Sequence, residues 1–253
     1  MVFVGFGTLV NAAAVAVGST IGVLAGHRFP ERTRKVVTDA LGLVTLLIAA
    51  DAVMQVGDRS LVEAVGSSAP ILIVLAALLL GGIAGSLLRI EDRLEGFAGV
   101  LQRLTARRRG EDEGHEARER FIQGYVTSSL IFCVGPLTIL GSISEGLGDG
   151  PQQLLLKSAL DGFASIAFAA SFGWGVSASV ISILVVQGGL TALGAFLGSF
   201  LPDAHLAALT ATGGLILVGV ALRLLEIRQL KAGDLLPALV VAPLVTELVA
   251  TLR

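Results

Sequence analysis

Eight stretches of about 20 apolar residues follow one another along this chain, and they constrain its fold more than any other feature. A helix rises 1.5 Å per residue, so a run of that length crosses the roughly 30 Å hydrocarbon core of a bilayer. The runs are 5–26, 36–56, 70–88, 121–146, 154–173, 176–200, 206–225 and 235–252. They predict an all-α membrane protein of about eight transmembrane helices, with residues 1–253 forming a single integral membrane domain. The fourth run is overlong and is interrupted by Gly135-Pro136. The fifth and sixth are separated only by Gly173-Trp174-Gly175. Composition agrees: 54% of the residues are hydrophobic, only 15% are charged, and glycine is abundant at 32 residues. That balance fits packed membrane helices and excludes a disordered chain, a collagen or a disulfide scaffold. One cysteine allows no internal disulfide. A formal charge of −2 argues against a nucleic-acid partner. The partners expected are the lipid bilayer and a small solute or ion.

Lysine and arginine set the expected orientation, because cytoplasmic loops carry the excess of both. The segments after runs 1, 3 and 7, with the end of run 7, hold 15 of the 18, leaving only Arg59, Lys157 and Arg253 elsewhere. With eight crossings those three segments share one face, which is expected to be the cytoplasmic face of a bacterial inner membrane, with both termini outside. The N-terminus, MVFVGFGTLVN, has no basic residue and is expected to be the first span rather than a cleaved leader. Between runs 3 and 4, residues 89–120 form the one sizeable extramembrane piece. Ile90, Leu94, Phe97, Val100, Leu101 and Leu104 recur at helical spacing among charges, which predicts an amphipathic helix at the interface. The rest, TARRRGEDEGHEARER, reads as a charged linker or a helical extension into water.

Runs 1 and 6 end alike, in Gly22-xxx-Gly26-xx-Phe29-Pro30-Glu31 and Gly194-xxx-Gly198-xx-Leu201-Pro202-Asp203. The same 172-residue offset carries Gly42 onto Gly214 in the following run. This pattern suggests an inverted repeat of helices 1–3 and 6–8 around a central broken-helix pair, the plan of many secondary transporters. The plainer reading is that Gly-xxx-Gly lets helices approach closely in any glycine-rich membrane chain, and such faces also offer a surface for a homo-oligomer.

Polar groups inside the apolar runs are the candidates for chemistry. In run 4, Pro136 lacks an N–H and its ring disturbs the carbonyl four residues back, at Phe132. Thr138 and Ser142 supply hydroxyls beyond the break. Irregular backbone at membrane depth is tolerated only where protein or a water-filled cavity covers it, so the break is a candidate solute or ion site. In run 5, Lys157 and Asp161 are four residues apart and share a helix face, with Ser165 one turn on. Ionisable groups at such depth are costly and face the bundle interior. Lys157 alternatively snorkels to the headgroups, whereas Asp161 is too short to do so. Asp51 and Glu247 lie at comparable depth and raise the prospect of one electronegative vestibule with Asp161. The alternative is three separate interfacial acids. Asn11 and Gln187 are uncharged groups whose default role is hydrogen bonding between helices.

Enzyme motifs are weak. Gly146-Leu147-Gly148-Asp149 matches the GxGD string of intramembrane aspartyl proteases but lies in a glycine-rich turn, and no Tyr precedes a second acid in the expected way. His27, His115 and His205 are assigned to loops, without the spacing of a zinc site. No phosphate-binding loop occurs. The chain is therefore expected to be no enzyme and to carry no cofactor and no metal.

GTLVN (7–11), GPLTILGSI (135–143), KSALDGFASI (157–166), QGGLTAL (187–193) and LLPALVVAPL (235–244) resemble the bacterial family called domain of unknown function 554. The likeness runs over nearly the whole chain except 89–120. The resemblance implies a multi-pass membrane protein and draws attention to runs 4 and 5, and it supplies no substrate. The leading expectation is a membrane transporter or channel for a small solute or ion. A non-transporting membrane scaffold or assembly factor is the alternative, and an intramembrane enzyme is a weaker third.

Overall fold

The computed structural model describes residues 3–26, 30–109, 115–134, 136–148, 150–197 and 202–252. Helices run in the order α1 (Phe6–Gly26), α2 (Glu31–Met54), α3 (Arg59–Val65), α4 (Ala69–Leu88), α5 (Ile90–Arg109), α6 (His115–Val134), α7 (Pro136–Leu147), α8 (Gln152–Phe172), α9 (Gly175–Leu197), α10 (Asp203–Leu224) and α11 (Ala238–Thr251). Short 3-10 turns occupy Gln55–Gly57 and Ala232–Leu235, and no strand occurs among the described residues. Among the described residues, seven helical segments are long and apolar enough to cross a bilayer. The pair α6–α7, bent by 71°, makes an eighth if it is one span. The expected all-α multi-pass architecture is therefore the one observed. The expected amphipathic helix is α5, which leaves Phe97, Val100 and Leu104 exposed at helical spacing. Much of the charged linker lies outside the described residues, and its end is helical as the start of α6.

The chain weaves between two compact units. The first takes Met1–Leu41, Asp92–Cys133 and Leu137–Gly198; the second takes Gly42–Glu91, Val134–Pro136 and Ser199–Arg253.

In the first unit α1 lies along α8, and the reason is glycine. A Cβ placed on Gly18 would overlap Ser165 and the Gly162 carbonyl, and one on Gly22 would overlap the Ile166 carbonyl. On Gly26 it would sit 2.6 Å from the Ala170 carbonyl oxygen. Small residues at this spacing let two backbones meet, which in lipid gives the dispersion contacts that hold helices together. At the other end Gly7 abuts Leu154. Gly7 thus meets the start of α8 and Gly26 its end, so the two helices run parallel. Parallel helices require an odd number of crossings between them. That condition is met if α2, α4 and the bent pair α6–α7 each cross once. α8 also packs antiparallel to the broken span: Gly141 of α7 faces Leu154, and Gly124 of α6 faces Phe172.

In the second unit, Gly81 and Gly85 of α4 press on Ala238 and on the backbone of Asp234. Leu61, Val65 and Ile73 form a core with Ala204, Ala207 and Ala208 of α10. Asp58 caps α3, its carboxylate accepting from Ser60 N–H at 2.9 Å and from the Ser60 hydroxyl at 2.5 Å. These bonds hold the Asp58 carboxyl below its usual pKa. Buried Glu91 pairs with Arg223 and accepts the Gly233 N–H at 2.6 Å. His205 is not in a loop as expected. It lies in the first turn of α10, 3.0 Å from Glu247. His27 lies outside the described residues.

The Gly-xxx-Gly faces are occupied within the chain. Gly22 and Gly26 meet α8, Gly81 and Gly85 meet Ala238 and Asp234, and Gly194 meets Ile143. Pro30-Glu31 and Pro202-Asp203 stand at the starts of α2 and α10, while residues 27–29 and 198–201 before them lie outside the described residues.

Two antiparallel pairs bear on the repeat. In the second unit a Cβ on Gly42 of α2 would run into Leu225, and one on Gly214 of α10 into Val53. The 172-residue offset carries Gly42 onto Gly214 and Val53 onto Leu225, so it exchanges the two contacts. In the first unit the same offset carries Ser19 onto Thr191. The Thr191 hydroxyl reaches Thr8 of α1 at 3.5 Å, and Ser19 receives the Ser177 hydroxyl of α9 at 2.8 Å.

The close α1–α8 contact has a direct check. Gly22→Ala is expected to lower stability by about 1–3 kcal/mol, because its Cβ meets backbone that has no room to give. Gly188→Ala, whose Cβ meets nothing within 4 Å, is expected to be neutral or to stabilise by up to about 1 kcal/mol. Thermal unfolding of the purified variants distinguishes the two. The crossing count has another: single cysteines at Phe3 and Gly150 are expected to react from the same side of the membrane.

Candidate functional site

The first unit collects polar groups from several helices on one side of α1. Asp161 lies nine residues into α8, roughly 14 Å along the helix. Lys157, one turn before it, makes the expected ion pair with it. Lys157 does not snorkel, its side chain being only 5% exposed. The parallel packing of α1 brings Asn11 to the same place. Asn11 Nδ2 donates to Asp161 Oδ2 at 3.0 Å and to Gln187 Oε1 of α9 at 2.7 Å. Four polar residues from three spans therefore form one buried network. Removing a charge of this sign and depth from water costs several kcal/mol, and only pairing offsets it. The network is not fully closed: Asn11 Oδ1 and Gln187 Nε2 are buried without a hydrogen-bond partner.

The break in the fourth span borders this network. Thr138 of α7 donates its hydroxyl to the Phe132 carbonyl at 2.8 Å, which is the carbonyl that Pro136 was expected to free. The Lys157 ammonium stands 6.0 Å from the centre of the Phe132 ring, at the edge of cation–π range. Ser142, one turn beyond Thr138, is fully buried and its Oγ has no partner. α7 begins at Pro136, while Gly135 lies outside the described residues.

Ser165 is placed differently from what its spacing suggested. Its hydroxyl returns to the Gly162 carbonyl at 2.8 Å, and the residue packs against Gly18. Asp51 and Glu247 belong to the second unit and are exposed.

Sequence reasoning missed Glu145. It falls at the end of the fourth run, just before the glycine-rich turn, and was not singled out, yet α7 continues to Leu147 and buries Glu145 to 3% exposure. Glu145 Oε1 accepts the Gly7 N–H at 2.6 Å, while Oε2 is buried without a partner. The signal was available in α1 itself. Val4-Gly5 before the helix supplies no side-chain cap for its first N–H groups, so an acceptor must come from elsewhere. Thr8 and Thr191 were also overlooked. They border an open recess of about 300 Å³ together with Gly5, Leu184 and Gly188.

Polar groups continue toward the other end of α1. Beyond the Ser19–Ser177 pair, the Ser182 hydroxyl of α9 donates to Tyr125 Oη at 2.9 Å and lies 2.9 Å from Ser129 Oγ of α6. No group of three or more His, Cys, Asp or Glu suited to a metal occurs among the described residues.

Breaking the ion pair from one side is expected to be costly. Lys157→Met or Asp161→Asn alone should lower stability by about 3–5 kcal/mol at most, the cost of an uncompensated buried charge. The double variant should recover much of that loss. Denaturation of the three proteins in one detergent measures the coupling.

Comparison with known proteins adds a family. The chain belongs to the family described as "Protein of unknown function (DUF554)", whose family model matches residues 6–247. It is 32% identical over 236 residues to the uncharacterized protein YqgA of Escherichia coli (strain K12), covering 93% of this chain and 94% of that one. It is 26% identical over 240 residues to the uncharacterized membrane protein YdfK of Bacillus subtilis (strain 168), covering 95% of each. No solved structure matches the chain.

Proposed function

We propose that this member of the DUF554 family is a membrane transporter or channel for a small solute or ion. The observation that carries the reading is the Lys157–Asp161–Asn11–Gln187 network, set beside a broken helix. A purely structural polar contact in lipid is worth little, about 0.6 kcal/mol on average. A buried ion pair is weak evidence for stability, since apolar residues of similar volume often serve as well. Retaining one at membrane depth therefore points to a task. Hydroxyls and amides along α1 and α9 add a polar seam on both sides of the network. In this reading the protein performs no covalent chemistry and needs no cofactor.

The reading includes an orientation. With the basic segments cytoplasmic in a bacterial inner membrane, the N-terminal end of α1 and Glu145 face outward, and the Tyr125–Ser182 cluster faces inward. It also includes the inverted repeat. The exchanged Gly42–Leu225 and Gly214–Val53 contacts suit helices related by an axis in the membrane plane.

The second reading is a scaffold or assembly factor. It is favoured by the Lys157–Asp161 pair itself, which meets its own electrostatic needs without a ligand. Flux in proteoliposomes separates the two. Wild-type protein should move an ion or small solute, Asp161→Asn should abolish the movement, and exposed Arg59→Gln should leave it unchanged. A folded wild-type protein that conducts nothing across a survey of ions and small metabolites would favour the scaffold. Full flux in Asp161→Asn would reject the site.

A further inference from the structure

At the N-terminal end of α1 lies a second open recess, of about 340 Å³, into which Glu145 opens. Phe3, Val4, Gly148, Pro151 and Gln152 are among its walls, and among the described residues no Lys, Arg or His lines it. Glu145 caps α1 with one oxygen only. That task needs no charge, and a glutamine would perform it through the same Oε1. The second oxygen is 97% buried with the residue and has no donor, a state that costs about 1–3 kcal/mol for a neutral acceptor and more for a charged one.

The local backbone points the same way. Glu145 stands two residues before the end of α7, where the last carbonyls of a helix lack intrahelical donors and carry the negative end of the dipole. That position disfavours a carboxylate and favours a cation. α7 is moreover the short half of a broken span, and carbonyl ends of such half-helices are suited to alkali cations. Ser142, three residues earlier on the same face, adds a further buried oxygen without a partner. All these donors are hard oxygens. A single carboxylate suits one positive charge, whereas calcium takes six to eight oxygens, commonly from several carboxylates.

We propose that Glu145 and the carbonyl end of α7 form a binding site for a small monovalent alkali cation. Gly7, to which Glu145 is bonded, is one turn, about 6 Å along α1, from Asn11 of the Asp161 network. The cation is thus held at the threshold of that network. Calling the site a threshold rests on the transport reading; the binding of the cation does not.

The test uses the purified full-length protein in detergent. Thermal unfolding is followed at constant ionic strength while NaCl or KCl replaces N-methylglucamine chloride. Wild type should show a saturable rise in Tm with at least one of the two salts. Glu145→Gln should lose the rise, while its elution volume and its Tm in N-methylglucamine chloride match or exceed those of wild type. Arg59→Gln should keep the rise. The proposal is overturned if wild type shows no rise in either salt, or if Glu145→Gln keeps it. It is also overturned if Asp161→Asn abolishes the rise and Glu145→Gln does not, because the cation then belongs to the other network. Flux lost with binding intact would sink the transport reading alone, and binding absent with flux intact would sink this site alone.

Discussion

The backbone contact between α1 and α8 is the interaction on which the rest of the first unit depends. Gly18, Gly22 and Gly26 have no Cβ to hold the helices apart, so Gly162, Ile166 and Ala170 come within backbone reach. In lipid no hydrophobic drive separates one helix pairing from another, and close fit decides. The fit also fixes register. With Gly22 on Ile166, Asn11 falls beside Asp161 and Gly7 beside Leu154 and Glu145. A slip of one helical turn would leave Asp161 with Lys157 alone and α1 without its cap.

The bent span supplies what a straight helix cannot. A continuous helix satisfies every interior carbonyl itself and offers a passing solute only side chains. By stopping at Val134 and restarting at Pro136 with a 71° change of axis, the chain turns α7 into a short helix with two ends of its own. One end is mended by Thr138 on Phe132, while the other carries Glu145 to the first turn of α1. The two acids of the first unit that are buried among its described residues thereby differ in kind. Asp161 is matched by a cation of the protein's own, and Glu145 is matched only by a backbone N–H.

Much of this was legible in the sequence because membranes make polarity conspicuous. Run length gave the helices, and a lone Asp, Lys, Asn or Gln in an apolar run is visible without a structure. Pro136 announced the break and even the carbonyl it frees. What pattern does not encode is facing. Asp51 and Glu247 resemble Asp161 in depth, yet they are exposed, since a 3.6-residue period needs a polar stripe to mark a side and these helices are apolar nearly all round. Glu145 was hidden by its neighbours, Gly146, Gly148 and Gly150, which read as a turn although the helix persists to Leu147. His205 was misplaced for a related reason: Pro202 starts α10 just before it, earlier than hydrophobicity alone suggested.

The central claim is that the polar side of α1 meets water and solute, not merely other helices. Thiol labelling tests it most directly. With Cys133, the single native cysteine, replaced by serine, cysteines are placed one at a time at Thr8, Leu9 and Asn11 in membrane vesicles. Thr8 and Asn11 are buried and Leu9 is 51% exposed on the apolar side of the same helix. The account expects a small, charged methanethiosulfonate to modify the cysteines at Thr8 and Asn11 and to spare the one at Leu9. Modification of none of them, or of Leu9 alone, would contradict it.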